Sequence, residues 1–311
     1  MRAFIFPGQG SQAVGMGQAL ADASVTARAV FQEVDDALGQ HLSKLMFDGP
    51  GDELQLTANA QPAIMANAIA TLRVLEQEGG VALADKADYV AGHSLGEYTA
   101  LCAAGAFDLS TTATLLKVRG QAMQAAVPVG EGAMAALLGA DVAIAQKIAD
   151  AAGQGEVCTI ANDNDPSQVV ISGAKGAIER AIELAKDYGA KRAISLPVSA
   201  PFHCSMMQPA ADVMEKALAK ARVSAPLVPV FANVTASAVS DVDTIRRLLV
   251  DQVTAMVRWR ESVLAMTQAG VERYVEFGGK VLGPMVKRIS PDVEAVSVIT
   301  MNDIEAMVKS L

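Results

Sequence analysis

The sequence predicts an α/β fold with a mostly parallel sheet and a second, smaller unit inserted into it. Towards both ends of the chain, β-rich stretches alternate with helical stretches, an order typical of a parallel sheet covered by helices. Between residues 132 and 199 the order changes to β-α-β-β-α-β, the split-βαβ or ferredoxin-like pattern. Of the 311 residues, 51% are hydrophobic and only 4% aromatic, so a sizeable core of small aliphatic side chains is expected.

The part before the insertion is predicted to place a strand, a turn and a helix in direct succession. Its predicted elements are a strand at 2–6, helices at 26–38 and 61–77, a strand at 89–94, and helices at 95–106 and 110–126. Ser110 is expected to cap the last of these helices, because a serine oxygen accepts a hydrogen bond from a first-turn N–H. Pro128 and Gly130 then interrupt the helical pattern.

The inserted unit is predicted to occupy residues 129–197, and residues 1–128 and 198–311 form the larger subdomain. Within the insertion the predicted elements are strands at 132–139, 157–163, 168–174 and 192–199 and helices at 141–152, capped by Asp141, and 177–189. After it come helices at 208–221, 241–256, 258–269 and 280–289, strands at 227–234, 271–277 and 295–299, and a last helix.

Composition restricts the classes of partner and location. The formal net charge is −9, whereas nucleic-acid binding requires a basic surface, so no nucleic acid is expected. The three cysteines form no CxxC pair, which argues against a disulfide framework or a zinc site. The N-terminal apolar run is too short for a signal peptide, and the most apolar later stretch is broken by polar residues and a proline. We therefore expect a cytoplasmic protein without a membrane segment or a metal, and a monomer by default.

The segment Gly92–Gly96 reads Gly-His-Ser-Leu-Gly and fits the pattern Gly-x-Ser-x-Gly. It lies where the predicted strand 89–94 meets the predicted helix 95–106, the context that a nucleophile elbow requires. Glycine on both sides lets the backbone pass through a strained turn. The pattern predicts Ser94 as a nucleophile, and an ordinary serine among small residues is the alternative.

A serine nucleophile needs a base within hydrogen-bond reach, and the chain has three histidines. His93 is expected to point away from the Ser94 side chain, and His41 lies in a polar stretch with no supporting signal. His203 lies in "PVSAPFHCSMM", a loop at the junction of the two subdomains, where binding sites are common. We predict His203 as the base, with a packed or surface histidine as the alternative.

Arg119 lies inside the apolar stripe of the predicted helix 110–126, whereas Lys117 lies on its opposite face. A buried arginine needs a partner. That partner is either an internal carboxylate or the carboxylate of a substrate, which a guanidinium binds through two parallel hydrogen bonds. The second alternative indicates an enzyme that handles half-esters or half-thioesters of a diacid.

Acyl transfer also needs N–H donors for the oxyanion that forms. Leu95, at the start of a helix, is one candidate, and the loop "FPGQGSQ" (6–12) is expected to supply a second. The glycines of that loop do not have the spacing of a dinucleotide-binding fingerprint, so a role in binding a dinucleotide is not expected.

Five motifs together resemble the malonyl-CoA:acyl carrier protein transacylases of bacterial type II fatty acid synthesis. They are "FPGQGSQ", "GHSLGEY", "KVRGQAMQ", "PVSAPFHCSMM" and "NVTA", and the resemblance runs from Phe6 to about Ile289. The same motifs occur in acyltransferase domains of polyketide synthases. The resemblance implies an α/β-hydrolase-like large subdomain with a mostly parallel sheet plus an inserted ferredoxin-like (βαββαβ) small subdomain.

The resemblance also implies roles for individual residues. Ser94 matches the acylated nucleophile and His203 its base, and the main-chain carbonyl of Gln252 matches the group that orients the imidazole. Arg119 matches the arginine that binds the malonyl carboxylate. Phe202 matches the variant that favours malonyl over methylmalonyl by filling the space of a branch methyl. The other implied residues are Gln9 and Leu95 in the oxyanion hole and Asn162 and His93 along the cleft.

The expected reaction is a ping-pong transfer of malonyl from malonyl-CoA to the phosphopantetheine thiol of acyl carrier protein, with no cofactor. A serine thioesterase or hydrolase, an acyltransferase of polyketide synthesis and a non-enzymatic scaffold are the alternatives. Because such carrier proteins are acidic, we expect a local basic rim, for which the candidates are Lys191, Arg192, Lys287 and Arg288. The segment "VEFGGKVLGPMVKRI" is one residue shorter than the corresponding family pattern, which leaves the shape of one cleft-edge loop open.

Overall fold

Two β-sheets organise the chain in the computed structural model, which describes residues 1–198 and 200–311. The strands are β1 (Arg2–Phe6), β2 (Tyr89–Gly92), β3 (Gly132–Leu138), β4 (Cys158–Asp165), β5 (Gln168–Ala174), β6 (Arg192–Ser195), β7 (Val230–Ala232), β8 (Ser237–Val239), β9 (Arg273–Phe277) and β10 (Glu294–Val298). The helices are α1 (Gln18–Ala23), α2 (Val25–Leu38), α3 (Leu42–Asp48), α4 (Gly51–Gln55), α5 (Thr57–Gln77), α6 (Leu83–Lys86), α7 (Leu95–Ala103), α8 (Leu109–Ala125), α9 (Val142–Gly153), α10 (Lys175–Leu184), α11 (Gln208–Lys220), α12 (Val242–Asp251), α13 (Trp259–Gln268), α14 (Leu282–Ile289) and α15 (Met301–Ser310).

The larger sheet has the strand order β10-β9-β1-β2-β7-β8, and every neighbouring pair except β7 and β8 is parallel. Strand β1 lies inside this sheet, with Phe6 paired to Gly92 of β2, so the loops after β1 and β2 leave the same edge. The apolar residues of β1 pack on both faces, and the ring of Phe4 lies 4.9 Å from that of Phe277. The structure confirms the predicted α/β class with a mostly parallel sheet.

The smaller sheet has the order β4-β5-β3-β6 and is antiparallel throughout. Helices α9 and α10 pack on it, and their buried Ile148 and Ile178 share a core with Ile171. Strand β4 also joins the larger subdomain, because the Val257 N–H donates to the Ala161 carbonyl at 2.8 Å and the Val257 carbonyl accepts from the Asp163 N–H at 3.0 Å. The predicted separate β-α-β-β-α-β unit is thus present, while its limits of 129–197 stay a prediction.

Several predicted boundaries are wrong. Asp108 caps α8 instead of Ser110, because the Asp108 carboxylate accepts from the Thr111 N–H at 2.6 Å and so begins the helix earlier. The helix predicted to reach Gly189 ends at Leu184, and the chain forms turns from there to Gly189. The strand predicted at 192–199 ends at Ser195, and Ser199 lies outside the described residues.

Several short elements were not predicted from the sequence at all. They are α1, α3, α4, α6 and β8, which span between three and seven residues and so carry too little periodicity to recognise. Helix α12 is also shorter than predicted and ends at Asp251, which places Gln252 just beyond its last turn. In the part of the chain that the structure describes, no helix combines the length and apolar character needed to cross a bilayer.

The turn between β2 and α7 depends on close approach at two glycines. A Cβ atom on Gly92 would lie 1.9 Å from the carbonyl oxygen of Gly96. A Cβ atom on Gly96 would lie 2.3 Å from the carbonyl oxygen of Phe6, in β1. Both contacts are with backbone, which has little room to move, so this turn can pack against β1 only when both positions are glycine.

We expect Gly92→Ala to lower the free energy of unfolding by about 2 kcal/mol or more, because overpacking against a rigid carbonyl is costly. Gly153→Ala is the matched control, since a Cβ there meets no atom within 4 Å at the end of α9, and it should be neutral or stabilising. Urea unfolding of both variants measures the difference. Equal stability of the two would contradict the close approach.

Candidate active site

Ser94 lies on the sharp turn between β2 and α7, with φ 53° and ψ −111°. A positive φ is costly for a residue other than glycine and persists only where neighbours hold it. Asn233 holds this turn, because its Oδ1 accepts from the Ser94 N–H at 2.7 Å and its Nδ2 donates to the Gly92 carbonyl at 2.7 Å. The side chain of Ser94 is thereby directed to the edge of the sheet where β1 and β2 end.

His203 is buried, and its backbone also has a positive φ of 57°. Its Nε2 lies 2.8 Å from Ser94 Oγ, and its Nδ1 lies 2.8 Å from the carbonyl oxygen of Gln252. A carbonyl oxygen only accepts hydrogen bonds, so Nδ1 carries the proton. Nε2 is therefore the acceptor, and the Ser94 hydroxyl donates to it, which is the arrangement a general base requires.

Burial lowers the pKa of His203 to about 3, and the nearby positive charge of Arg119 acts in the same direction. The hydrogen bond to the Gln252 carbonyl opposes both effects but is weaker. His203 is therefore neutral at physiological pH, and its Nε2 lone pair is available to Ser94.

Arg119 is the charged group closest to the nucleophile and is only 1% exposed. Its Nη2 donates to Ser94 Oγ at 3.1 Å and to Gln252 Oε1 at 2.9 Å, and its Nη1 donates to Gln61 Oε1 at 2.8 Å. These acceptors are all neutral, and among the described residues no carboxylate forms an ion pair with Arg119. The sequence left two partners open for Arg119: an internal carboxylate or the carboxylate of a substrate. Among the described residues, no internal carboxylate is in direct contact with it.

Gln252 connects the groups of the site through both its main chain and its side chain. The carbonyl oxygen accepts from His203, as described above, and the side-chain Oε1 accepts from Arg119. The side-chain Nε2 donates to the carbonyl oxygen of Ser94 at 3.0 Å and to Glu97 Oε2 at 2.8 Å. The position just after α12 thus fixes the histidine, the arginine and the serine turn together.

A cavity of about 230 Å³ opens in front of Ser94, between the two subdomains. Ser94, Arg119 and His203 line this cavity. So do the other residues that the sequence predicts near the substrate: Gln9, Leu95, Asn162, Phe202 and His93. Leu95 is the first residue of α7, so its N–H has no acceptor inside the helix. The side chain of Gln252 is fully buried behind the cavity.

The side chain of His93 bonds to the smaller subdomain. Its Nε2 lies 2.8 Å from Asn164 Oδ1, in β4 of the smaller subdomain, and its ring lies 5.9 Å from that of Trp259. Burial lowers the pKa of His93, so it contributes a neutral ring to the cavity wall.

Several residues of the site were missed by the sequence analysis. They are Gln61, Glu97 and Asn233 around the reacting groups, and Gln12, Gln55, Met123 and Met134 along the cavity. Gln61 had one available signal, because it directly precedes the run of small and apolar residues that forms most of the buried part of helix α5.

The loop after β9, whose shape the sequence left open, is held by Glu276. Its buried carboxylate accepts from the N–H groups of Val281, Leu282 and Gly283 at 2.8, 3.0 and 2.8 Å. The same carboxylate lies beside Gly279, which packs against Pro7 at the start of the loop that carries Gln9. The shortened segment therefore packs against the start of the loop that leads from β1 to Gln9.

This chain is similar to known proteins over almost its whole length. The family described as "Acyl transferase domain" matches residues 3–278. The malonyl CoA-acyl carrier protein transacylase of Escherichia coli strain K12 is 45% identical over 310 residues, covering 99% of this chain and 98% of its own. The crystal structure of an acyl-carrier-protein-S-malonyltransferase from Bartonella henselae has 52% identity and a TM-score of 0.97, covering 99% of this chain and 98% of its own.

A further solved structure contains a malonyl-transacylase in complex with an acyl-carrier protein of a type II polyketide synthase. It is 39% identical to this chain, with a TM-score of 0.96 over 100% of this chain and 99% of its own.

We expect the His203 imidazole to stay neutral from pH 8 down to about pH 5, because burial and Arg119 disfavour its charged form. The measurement is a ¹⁵N NMR titration in which the His203 signal is identified by its loss in His203→Gln. Free imidazole in the same sample reports the pH. A midpoint for His203 at or above pH 6 would show that the site stabilises the imidazolium.

Proposed function

The chain belongs to the acyl transferase domain family, and we propose that it transfers malonyl from malonyl-CoA to the phosphopantetheine thiol of an acyl carrier protein through an ester on Ser94. One observation carries the choice of substrate: a buried guanidinium, that of Arg119, lies 3.1 Å from the nucleophilic oxygen and contacts only neutral acceptors. A substrate carboxylate at that position neutralises a charge that the protein leaves without a direct ion pair.

In the first half-reaction, His203 Nε2 takes the Ser94 proton as Oγ attacks the thioester carbonyl. The positive charge of Arg119 favours negative charge developing on Oγ. We assign the resulting oxyanion to the main-chain N–H groups of Gln9 and Leu95, which both belong to residues that line the cavity. The C–S bond then breaks, the proton on His203 passes to the departing sulfur, and CoA leaves as its thiol.

In the second half-reaction, the thiol of the carrier protein enters the cavity vacated by CoA. His203 accepts the thiol proton, the sulfur attacks the ester carbonyl, and Ser94 recovers its proton as the C–O bond breaks. The malonyl group leaves as a thioester of the carrier protein. In this proposal the reacting and stabilising groups are all side chains and main-chain amides of this chain. We place the reaction in the cytoplasm.

A hydrolase is the main alternative, and the environment of Arg119 favours transfer of a diacid half-thioester. A serine esterase that acts on simple acyl groups gains nothing from a buried cation beside its nucleophile, while burying that cation has a cost of several kcal/mol. Phe202, 7% exposed on the cavity wall, supports selectivity for malonyl over methylmalonyl, a difference of about 1–3 kcal/mol for one methyl group.

The candidates for a basic rim lie along one end of the smaller sheet. The strand pairing aligns Arg192 with Leu138, Gln168 and Asp165 across β6, β3, β5 and β4. Asp165 and Arg192 are three strand spacings apart, or roughly 14 Å. Arg288 donates to Asp165 Oδ2 at 2.8 Å and so lies at the other side of this end of the sheet from Arg192. Lys191, Arg192 and Arg288 are exposed there, and we call them the small-sheet rim.

Lys287 differs from Arg288 in where it bonds: its ammonium donates to the carbonyl oxygens of Pro291 and Val293, just beyond its own helix, whereas Arg288 bonds to Asp165 of the smaller sheet. It therefore stabilises the end of α14. We propose the small-sheet rim, without Lys287, as the surface that attracts the acidic carrier protein.

We expect malonyl-CoA to add one malonyl group to the intact protein, and this adduct to be absent from Ser94→Ala. Arg119→Ala should slow formation of the malonyl adduct about 100-fold or more, because a charge-assisted pair in a buried site is lost. Lys117→Ala is the matched control, since it removes a cation from the same helix that bonds only to Gln40 and Asn59. Mass spectrometry of the intact protein measures each rate.

Two results would contradict this proposal. Release of free malonate without an adduct would indicate a hydrolase, and no reaction with malonyl-CoA would indicate a scaffold. Transfer from the isolated adduct to carrier proteins of fatty acid and of polyketide synthesis decides which of the two pathways is served.

We expect the double variant Lys191→Glu/Arg192→Glu to raise the KM for carrier protein about threefold or more at low salt, because each exposed charge contributes little on its own. Acylation of Ser94 by malonyl-CoA should be unchanged. The double variant Lys216→Glu/Lys220→Glu, at two exposed positions on α11, makes the same change in net charge and is the control. Equal loss in the carrier-protein and CoA assays would remove the small-sheet rim as a docking surface.

A further inference from the structure

Glu97 is a buried carboxylate in the first turn of α7, three residues after Ser94, and the reaction proposed above does not use it. Two donors converge on a single oxygen of this side chain. Its Oε2 accepts from Gln252 Nε2 at 2.8 Å and from the Asn233 main-chain N–H at 3.0 Å. Glu97 therefore contacts the two residues that hold the serine turn and the arginine, without touching the cavity itself.

The neighbours of Gln252 determine which way its amide faces. Its Nε2 lies within hydrogen-bond distance of three oxygens: Glu97 Oε2 at 2.8 Å, the Ser94 carbonyl at 3.0 Å and Asn233 Oδ1 at 3.3 Å. The opposite orientation would place an oxygen against these three oxygens and an NH₂ group against the Arg119 guanidinium. The Glu97 carboxylate is the strongest of these acceptors. Glu97 thus directs Gln252 Oε1 towards Arg119.

Glu97 also supplies the negative charge that Arg119 lacks in direct contact. Attraction between the two charges counteracts the effect of burial on the guanidinium. Because the Gln252 amide lies between them, the carboxylate stabilises the cation from behind and does not occupy its hydrogen-bonding face. A direct ion pair would compete with the carboxylate of a substrate, whereas this bridged pair leaves the guanidinium able to bind one.

We propose that Glu97 is a positioning residue for acyl groups that carry a carboxylate: acting through the Gln252 side chain, it holds the Arg119 guanidinium in place and compensates its charge. The proposal rests on the proposed function, in which Arg119 binds that carboxylate. The serine turn retains its own support in Glu97 variants, because the Asn233 side chain bonds directly to Ser94 and Gly92.

The test compares single-turnover acylation of Ser94 by malonyl-CoA and by acetyl-CoA, which has no carboxylate. Reactions are run at pH 8.5, because burial raises the pKa of Glu97 to about 7 and the group is charged there. Glu97→Leu removes both the acceptor and the charge at similar volume. We expect it to slow the malonyl reaction about tenfold or more, with the acetyl reaction changed less than about twofold.

A double-mutant cycle identifies the route of the effect. If Glu97 acts through Arg119, Glu97→Leu should have no further effect on the malonyl reaction when Arg119→Ala is already present. Equal losses for malonyl and acetyl, additive losses in the cycle, or no loss at all would each overturn the proposal. Failure of Arg119→Ala alone to separate malonyl from acetyl would instead overturn the proposed function.

Glu97→Gln covers the case in which Glu97→Leu does not fold. Its Oε1 can take the place of Glu97 Oε2 and keep both acceptor bonds, so only the charge is removed. We expect a loss of about threefold that is confined to the malonyl reaction and absent from the Arg119→Ala background. A Glu97→Gln protein with unchanged malonyl and acetyl rates would reduce Glu97 to a structural acceptor.

Discussion

A buried guanidinium held beside a serine oxygen by neutral amides is the constraint on which the rest of this structure depends. Removing a cation from water costs several kcal/mol unless it is well hydrogen-bonded. The acceptors for Arg119 come from α5, from the turn before α7 and from the residue after α12. These three elements must therefore meet around α8 with sub-ångström accuracy, which a close-packed core of small side chains provides.

The same constraint explains why strain is tolerated at the two reacting residues. Ser94 and His203 both have positive φ angles, which a loosely held loop would relax. Asn233 bonds to the backbone on both sides of the Ser94 turn, and the carbonyl of Gln252 fixes the His203 ring. The buried polar network thus holds an unfavourable backbone in the geometry that the proposed chemistry needs.

Local pattern was sufficient to predict Ser94 and Arg119. The glycine spacing identifies the turn, and an arginine inside an apolar helical stripe is visible within seventeen residues. His203 followed by elimination among three histidines and by its position at a subdomain junction. The nine strands other than β8 were recognisable as β-rich apolar runs, and the helices of eight or more residues were recognisable from their periodicity.

The remaining site residues depend on contacts that no local pattern carries. Gln61 and Arg119 are hydrogen-bonded although they lie 58 positions apart in the sequence, and Asn233 and Glu97 are hydrogen-bonded at a separation of 136 positions. Asn233 and Glu97 are also polar residues of types that occur on any surface, so only the folded chain distinguishes them. The wrong cap at Ser110 has a different cause, because aspartate and serine are both good caps. The structure distinguishes them, since Asp108 has the extended backbone of an N-cap and accepts from the Thr111 N–H.

The burial of the reacting groups bears on why the proposed ester passes to a thiol and not to water. The Ser94 hydroxyl lies 2.8 Å from His203 Nε2, so its proton has a base in direct contact, whereas a water molecule must first reach groups that are almost fully buried. His203 is 4% exposed and Arg119 is 1% exposed. Once water is admitted it is also the weaker acid, because a thiol ionises with a pKa of about 8.5 and water with a pKa of about 15.7. The burial that keeps a cation available to a substrate carboxylate therefore also limits the access of water to the ester.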